Sequence, residues 1–353
     1  MSASTTQDVP YPHADESLGE KLQPDEAHIA TEIADDIEAT IRKQYQEGDA
    51  RRDVHSKATG VLRAQFKVNE NIPAIYAKGI FIPGKTYEAV IRLSNAGSNP
   101  HQTDNHEDGR GFAIKLLDVP GPKLLETDKN ATTQDFLLIN SPIFMTNDIR
   151  AYHSLLQKAN GTFLQKLTIP LSLGLRGTLI AGKMVSGKVS NPLQIQYFGV
   201  VPYQLGLGPE SEVVKFSIKP ATDEHDPMPE HLTDDYLHEA IKKKLAAKEV
   251  QYRFLIQRRT SAHMDVEDST REWSQEESPY VEVGTVRIPQ QDVDADNHNL
   301  DKLGERLSFN PWHTIPEIRP MGGIMRMRKV IYERISRVRD SMNHVPREEP
   351  TSV

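Results

Sequence analysis

No cysteine occurs anywhere in the 353 residues. Disulfides, zinc–thiolate sites, iron–sulfur clusters and thiolate-ligated haem are therefore excluded, as is any thiol-based peroxidase or protease. A metal or redox cofactor has to be held by His, Tyr, Met or a carboxylate. Long apolar runs are missing too. The most apolar region, near 167–180, is interrupted by Pro170, Gly174 and Arg176, so no membrane span is expected. The N-terminal stretch MSASTTQDVPYPHADESLGEK has neither a basic n-region nor an apolar h-region. No secretory signal is visible in it, and a cytoplasmic location is expected. Positive charge is in deficit: 42 Lys and Arg against 50 Asp and Glu give a net charge of -8. That balance argues against a nucleic-acid partner. Tryptophan is scarce, and Trp273 and Trp312 read as packing residues rather than stacking platforms.

What is present is a polar chain, mean hydropathy -0.55, long enough for one large domain or two ordinary ones. No internal repeat is apparent, and we read one domain. Residues 1–23 read as a flexible arm, 24–342 as the domain and 343–353 as a tail. Ile29, Ile33, Ile37 and Ile41 recur every four residues, which predicts an amphipathic helix ending near Gly48. Period-two alternation predicts strands in TYEAVIRLS, FAIKLL, DFLLI, EVVKFSIK, VQYRFLIQ and YVEVGTVRI, the last slipping at Gly284 as a bulge would. Further helices are expected near 148–158, 234–248 and 323–340. Segments 225–235 and 261–277 read as long surface connections. The pattern is α+β, with an antiparallel barrel or sandwich as its core.

Several candidate sites are weak. His238-Glu239 opens a zinc-protease motif, but Lys242 stands where its second histidine belongs. Gly109-Arg110-Gly111 is a fragment of a phosphate loop and reads as a turn. His55 and Asn140 are uninformative singly. The segment RKVIYERISRVR carries more. On a helix Arg328, Tyr332 and Arg339 share one face, at spacings of four and seven. In an acidic chain this is either a solvated basic stripe or one that faces a local anion.

HSKATG, IRLSNAG, DGRGFAIK, INSPIF, NPLQIQYFGVVPY, FNPW and RKVIYERISRVR occur in that order. The series resembles the haem catalase family from about Arg51 to Arg339, in particular its small catalase-related peroxidases. The resemblance implies a catalase-like antiparallel β-barrel with surrounding helices and a ferric haem b. By position it implies Tyr332 as the iron ligand, with Arg328 favouring its phenolate, and Arg52, Arg92 and Arg339 on the propionates. It implies His55 as the distal acid–base residue, Ser94 as its hydrogen-bond partner, and Asn140 as a hydrogen bond to peroxide. Phe144 and Tyr152 fall where residues pack on haem, Val54 where typical catalases have valine, and Asp108 at the acid of the access channel. The implied function is peroxide reduction through an oxyferryl intermediate, with hydrogen peroxide, organic hydroperoxides and a small organic electron donor as partners, in a homo-oligomer (dimer or tetramer). The chain departs from the family in having Ser336 where many members have His, in 164–187, and in ending soon after Tyr332. From that shortness, peroxidase activity is expected to outweigh dismutation. Two alternatives are an allene-oxide-synthase-like lyase acting on fatty-acid hydroperoxides and a non-catalytic haem carrier or sensor. Val54 argues against the first, and the joint presence of His55 and Asn140 against the second.

Overall fold

Strands alternate in sequence when one face of each meets a shared interior, and that interior here is a closed barrel. The protein is described by a computed structural model over residues 9–159 and 162–352. The strands are β1 (Ala58–Val68), β2 (Thr86–Asn95), β3 (Arg110–Leu116), β4 (Gln134–Ile139), β5 (Tyr197–Phe198), β6 (Tyr203–Leu205), β7 (Glu212–Pro220), β8 (Val250–Arg258) and β9 (Val281–Ile288). They form one antiparallel sheet in the order β5-β4-β3-β2-β1-β9-β8-β7-β6, and β5 pairs back onto β7. That pairing closes the barrel. Strands β5 and β6 follow one another along the edge of β7 that β8 leaves open. Phe66, Phe136, Phe216 and Phe254 meet inside, with ring centroids 5.0 to 5.7 Å apart. The α+β architecture with an antiparallel barrel and surrounding helices, expected from the sequence, is the fold observed.

On β2, Tyr87, Ala89, Ile91 and Leu93 join the main core. Val90 joins a separate apolar cluster with Val61, Leu300 and Leu307. Arg92 and Ser94 share Val90's face and so look away from the barrel interior. The slip in β9 is a bulge. Phe254 pairs with Gly284 and Leu255 with Glu282, so Val283 is the extra residue. Strand β1 escaped the sequence reading because both its faces are covered. Val61 and Leu62 are each fully buried, in different clusters, which erases the alternation.

The helices are α1 (Glu26–Gln44), α2 (Ile149–Ala159), α3 (Phe163–Leu167), α4 (Ile169–Val185), α5 (Tyr236–Ala247), α6 (Ala295–Arg306) and α7 (Gly323–Met342). The four isoleucines of α1 are buried. This helix packs on α7, where Arg334 reaches Asp35 at 2.5 Å and Glu38 at 2.8 Å. α3, α4 and α6 were not anticipated. α4 is kinked at Gly174, whose φ of 65° lies outside the helical range.

Both chain-end regions are tied down where they are described. Glu20, in the segment expected to be a loose arm, is fully buried and binds Arg326 at 2.7 Å and Arg319 at 2.7 Å. Residues 1–8 lie outside the described residues. In the tail, Glu349 binds buried Lys115 at 2.7 Å, and Arg347 binds Asp128 at 2.5 Å. His313 joins Asp128 at 2.8 Å. Asp128, His313 and Glu349 have metal-ligand chemistry, but Lys115 and Arg347 already supply the compensating charge. The group is an ion-pair network that pins the tail to the barrel. The connection 261–277 also carries core: Met264, Val266 and Trp273 are buried with Met321. Trp312 is buried and donates to the Met325 carbonyl at 2.7 Å. His238 is held by the Thr59 carbonyl at 3.1 Å and Asp294 at 3.0 Å.

Candidate active site

The helix α7 has two different faces. On one, Arg326 is fully buried and paired with Glu20, Glu26 and Glu267 at 2.7, 2.7 and 3.1 Å. These bonds fix the helix rotation, because a buried guanidinium without partners is costly. The opposite face then meets the outer side of β2 and β3 across a cavity of about 250 Å³. Arg328, Tyr332 and Arg339 all line it. The basic stripe is therefore an internal one. Arg328 Nη2 donates to the Tyr332 hydroxyl at 3.0 Å, and its guanidinium carbon lies 4.9 Å from the centre of the Tyr332 ring. Burial opposes the Arg328 charge, yet the Tyr332 oxygen beside it holds its pKa above the ordinary value.

His55 lines the same cavity from the segment before β1. Its φ of 55° is left-handed, an unusual conformation for a residue with a Cβ. Three bonds hold it there. Its N–H donates to the Ala96 carbonyl at 3.1 Å, and the Arg92 guanidinium donates to the carbonyls of His55 and Ser56 at 2.8 and 3.2 Å. Nδ1 lies 3.0 Å from Ser94 Oγ, a hydrogen bond that engages this nitrogen and leaves Nε2 for other chemistry. Gly111 lets the imidazole lie against β3, since a Cβ there would stand 2.6 Å from Nδ1. Burial, with the charges of Arg92, Arg328 and Arg52, pushes the His55 pKa down to about 3. The imidazole is neutral near pH 7.

Arg52, Arg92 and Arg339 also line the cavity. Glu305 binds Arg92 at 3.1 Å and Arg52 at 3.2 Å. Remaining donors reach neutral acceptors: Arg52 the Gly304 and Leu307 carbonyls at 2.6 and 2.5 Å, and Arg339 the Leu307 carbonyl at 3.1 Å and the Ser308 hydroxyl at 2.9 Å. The cluster is under-neutralised. Burial depresses all three guanidinium pKa values; repulsion from Arg92 and Arg339 adds to it at Arg52, while Asp340 and Glu305 work against it at Arg339. Burial works against the Glu305 charge, yet Arg52 and Arg92 hold that carboxyl below its usual range. Arg92 Nε is buried with no partner. Such a cluster suits a further anion.

Phe144 and Tyr152 line the cavity together, ring centroids 5.7 Å apart, and Val54 and Ser336 line it too. Asn140, directly after the lining residue Ile139, and Asp108 are not in its lining. Asn140 Oδ1 accepts from the Arg110 N–H at 2.8 Å, so its NH₂ is the end that can donate. Asp108 accepts from the Gly97 N–H at 2.8 Å. Sequence reasoning missed Asp53, Gly111 and Glu305. Asp53 lines the cavity beside His55, and burial raises its pKa to about 6. No local pattern marks an acid or glycine whose role depends on a residue from a distant segment.

The catalase family model matches residues 30–162. A catalase-related peroxidase from Mycolicibacterium paratuberculosis is 23% identical over 302 residues, 83% of this chain and 90% of the relative. The fold is that of a fungal catalase (TM-score 0.66, 16% identity, 95% of this chain and 66% of the other) and of catalase A from Saccharomyces cerevisiae (0.64, 18%, 96% and 70%). A bacterial catalase matches similarly (0.67, 15%, 99% and 67%). The chain thus spans about two thirds of the length of these three structures.

Proposed function

We propose that this chain belongs to the catalase family, whose model matches residues 30–162, and is a haem-dependent oxidoreductase that reduces hydrogen peroxide and organic hydroperoxides. The observation that carries the reading is that His55 and Tyr332 line one cavity together, with Arg52, Arg92 and Arg339 around it. Members of this family generally bind haem. The residues present fit that group, taken as ferric haem b. Tyr332 would offer an oxygen ligand for the iron, and Arg328 holds that oxygen through its 3.0 Å hydrogen bond. Arg52, Arg92 and Arg339 carry more positive charge than Glu305 offsets and would receive the two propionates. Phe144 and Tyr152 offer rings to pack against the macrocycle. Haem, when bound, supplies the electrons that break the O–O bond.

The remaining work falls to the chain. His55 Nε2 accepts a proton from one peroxide oxygen and returns it to the other, which departs as water from hydrogen peroxide or as an alcohol from an alkyl hydroperoxide. A histidine that stays neutral at neutral pH is suited to begin that sequence. The Ser94 bond fixes the ring, so the proton moves along a set direction. The Asn140 NH₂ steadies the peroxide as a donor. Apolar lining from Ile37, Leu137, Val200, Ile331 and Ile335 suits an alkyl hydroperoxide as well as hydrogen peroxide.

The test starts from haem uptake. Hemin titrated into apoprotein should give one equivalent bound, and Tyr332→Phe should lose it or change its visible spectrum. The loaded protein should then oxidise a phenolic donor with a tertiary alkyl hydroperoxide. No uptake, or a spectrum unchanged by Tyr332→Phe, refutes the assignment.

A further inference from the structure

Between Asp148 and Glu210 the sequence contains no aspartate or glutamate, although the whole chain has 50. The same stretch holds Arg150, Lys158, Lys166, Arg176, Lys183 and Lys188. α3 and α4 lie within it. Leu164, Leu167, Leu171, Leu175 and Leu179 recur at three- or four-residue spacing and are 62 to 81% exposed. The other side of α4 is seated. Ile180 is buried, Ser172 bonds Ser154 at 2.8 Å, and Arg176 donates to the Thr270 carbonyl at 2.8 Å. The helix is thus fixed to the body by one side and turns a row of leucines outward. Five exposed leucines within sixteen residues are more than singly scattered surface apolar residues, and apolar surface grouped in this way marks an interaction site.

We propose that α3 and α4 form an interfacial anchor, whose leucines enter the surface of a lipid bilayer bearing anionic headgroups. The leucines call for an apolar medium. Exposed Lys166 lies within the leucine row and exposed Lys183 just beyond its end, on the same helices. Long cationic side chains there can reach headgroups while the leucines sit deeper. No described helix is long and apolar enough to cross a membrane, so the segment lies in the interface plane. Two copies of this face would bring like charges together, which disfavours self-association through it. Two acids on neighbouring elements are engaged: Asp36 of α1 binds His153 of α2 at 2.9 Å, and Asp268 accepts from Thr270 at 2.6 Å. The anchor also adjoins the cavity region. The Met184 carbonyl lies 3.7 Å from where a Cβ on Gly109 would stand, and Gly109 neighbours Asn140.

The binding claim is independent of the peroxide chemistry and is tested without it. The full chain is sedimented with phosphatidylcholine vesicles, with and without phosphatidylserine. Binding should be about tenfold or more tighter with phosphatidylserine and should weaken with salt. Leu171→Glu/Leu175→Glu should abolish sedimentation, and Lys166→Gln/Lys183→Gln should remove the preference for phosphatidylserine. Circular dichroism melts should stay unchanged in both variants, which separates lost docking from lost folding. Absence of binding to anionic vesicles overturns the proposal. So does a leucine variant that sediments like the wild type. A wild-type oligomer that the leucine variant converts to monomer in light scattering also overturns it, in favour of a second copy as the occupant.

Discussion

Gly111→Ala isolates how His55 is positioned. Gly111 lies on β3 between Ser94 of β2 and Ile139 of β4. Its φ is outside the left-handed region, so alanine accepts the backbone without strain. The added methyl would stand 2.6 Å from His55 Nδ1, 2.7 Å from Cε1 and 2.8 Å from Ser94 Oγ. Ordinary contact begins at 3.4 Å, so the imidazole has to retreat by about 0.8 Å. It cannot do so by moving its backbone, which Arg92 and Ala96 hold. The ring must rotate and give up the 3.0 Å bond to Ser94. A misplacement near 1 Å costs about 100-fold in rate, and overpacking costs about 1–3 kcal/mol of stability. The assay is the initial rate of peroxide consumption at neutral pH by haem-loaded protein, with loading matched by the Soret band. The expected result is unchanged haem uptake, a rate about 100-fold lower and a modestly lower Tm. A rate within about threefold of wild type refutes either the base role of His55 or its positioning by Gly111.

His55→Ala should bind haem normally yet react with peroxide at least about 100-fold more slowly in stopped-flow mixing; equal rates would remove the residue from the mechanism. Arg326→Met leaves Glu20 and Glu26 buried beside an apolar side chain. It should lower unfolding stability by about 3–5 kcal/mol in urea titration, and a loss under about 1 kcal/mol would show that the arm and α7 are not coupled through it. Burial would raise the Asp128 pKa, but His313 and Arg347 hold it down at about 2 against an ordinary 3.8. Its contribution, about 2 kcal/mol, is therefore present above pH 3.8 and lost as pH falls toward 2. Asp128→Asn should lower stability at neutral pH and flatten the acid limb of the urea midpoint, and an unchanged limb would assign the acid loss elsewhere.

Elements that bury a single face were legible from local pattern. The four isoleucines of α1, the odd positions of β2 and the slip at Gly284 follow from backbone periods of 3.6 and 2, which are properties of one segment alone. The same logic placed Arg328, Tyr332 and Arg339 on one face of α7, and Arg92 and Ser94 on one side of β2. It did not say which way those faces look. A basic stripe on a helix reads the same whether it meets water or a cavity, and only the pairing of Arg326 with Glu20, Glu26 and Glu267 turns this one inward. The leucines of α3 and α4 show the converse: an apolar row that local pattern would bury stands exposed. Contacts such as Gly111 on His55, Glu305 among the arginines and Glu349 on Lys115 join segments far apart in the chain. Their charge balance and desolvation depend on distances through space, which no period within a segment encodes, so the tertiary structure alone decided them.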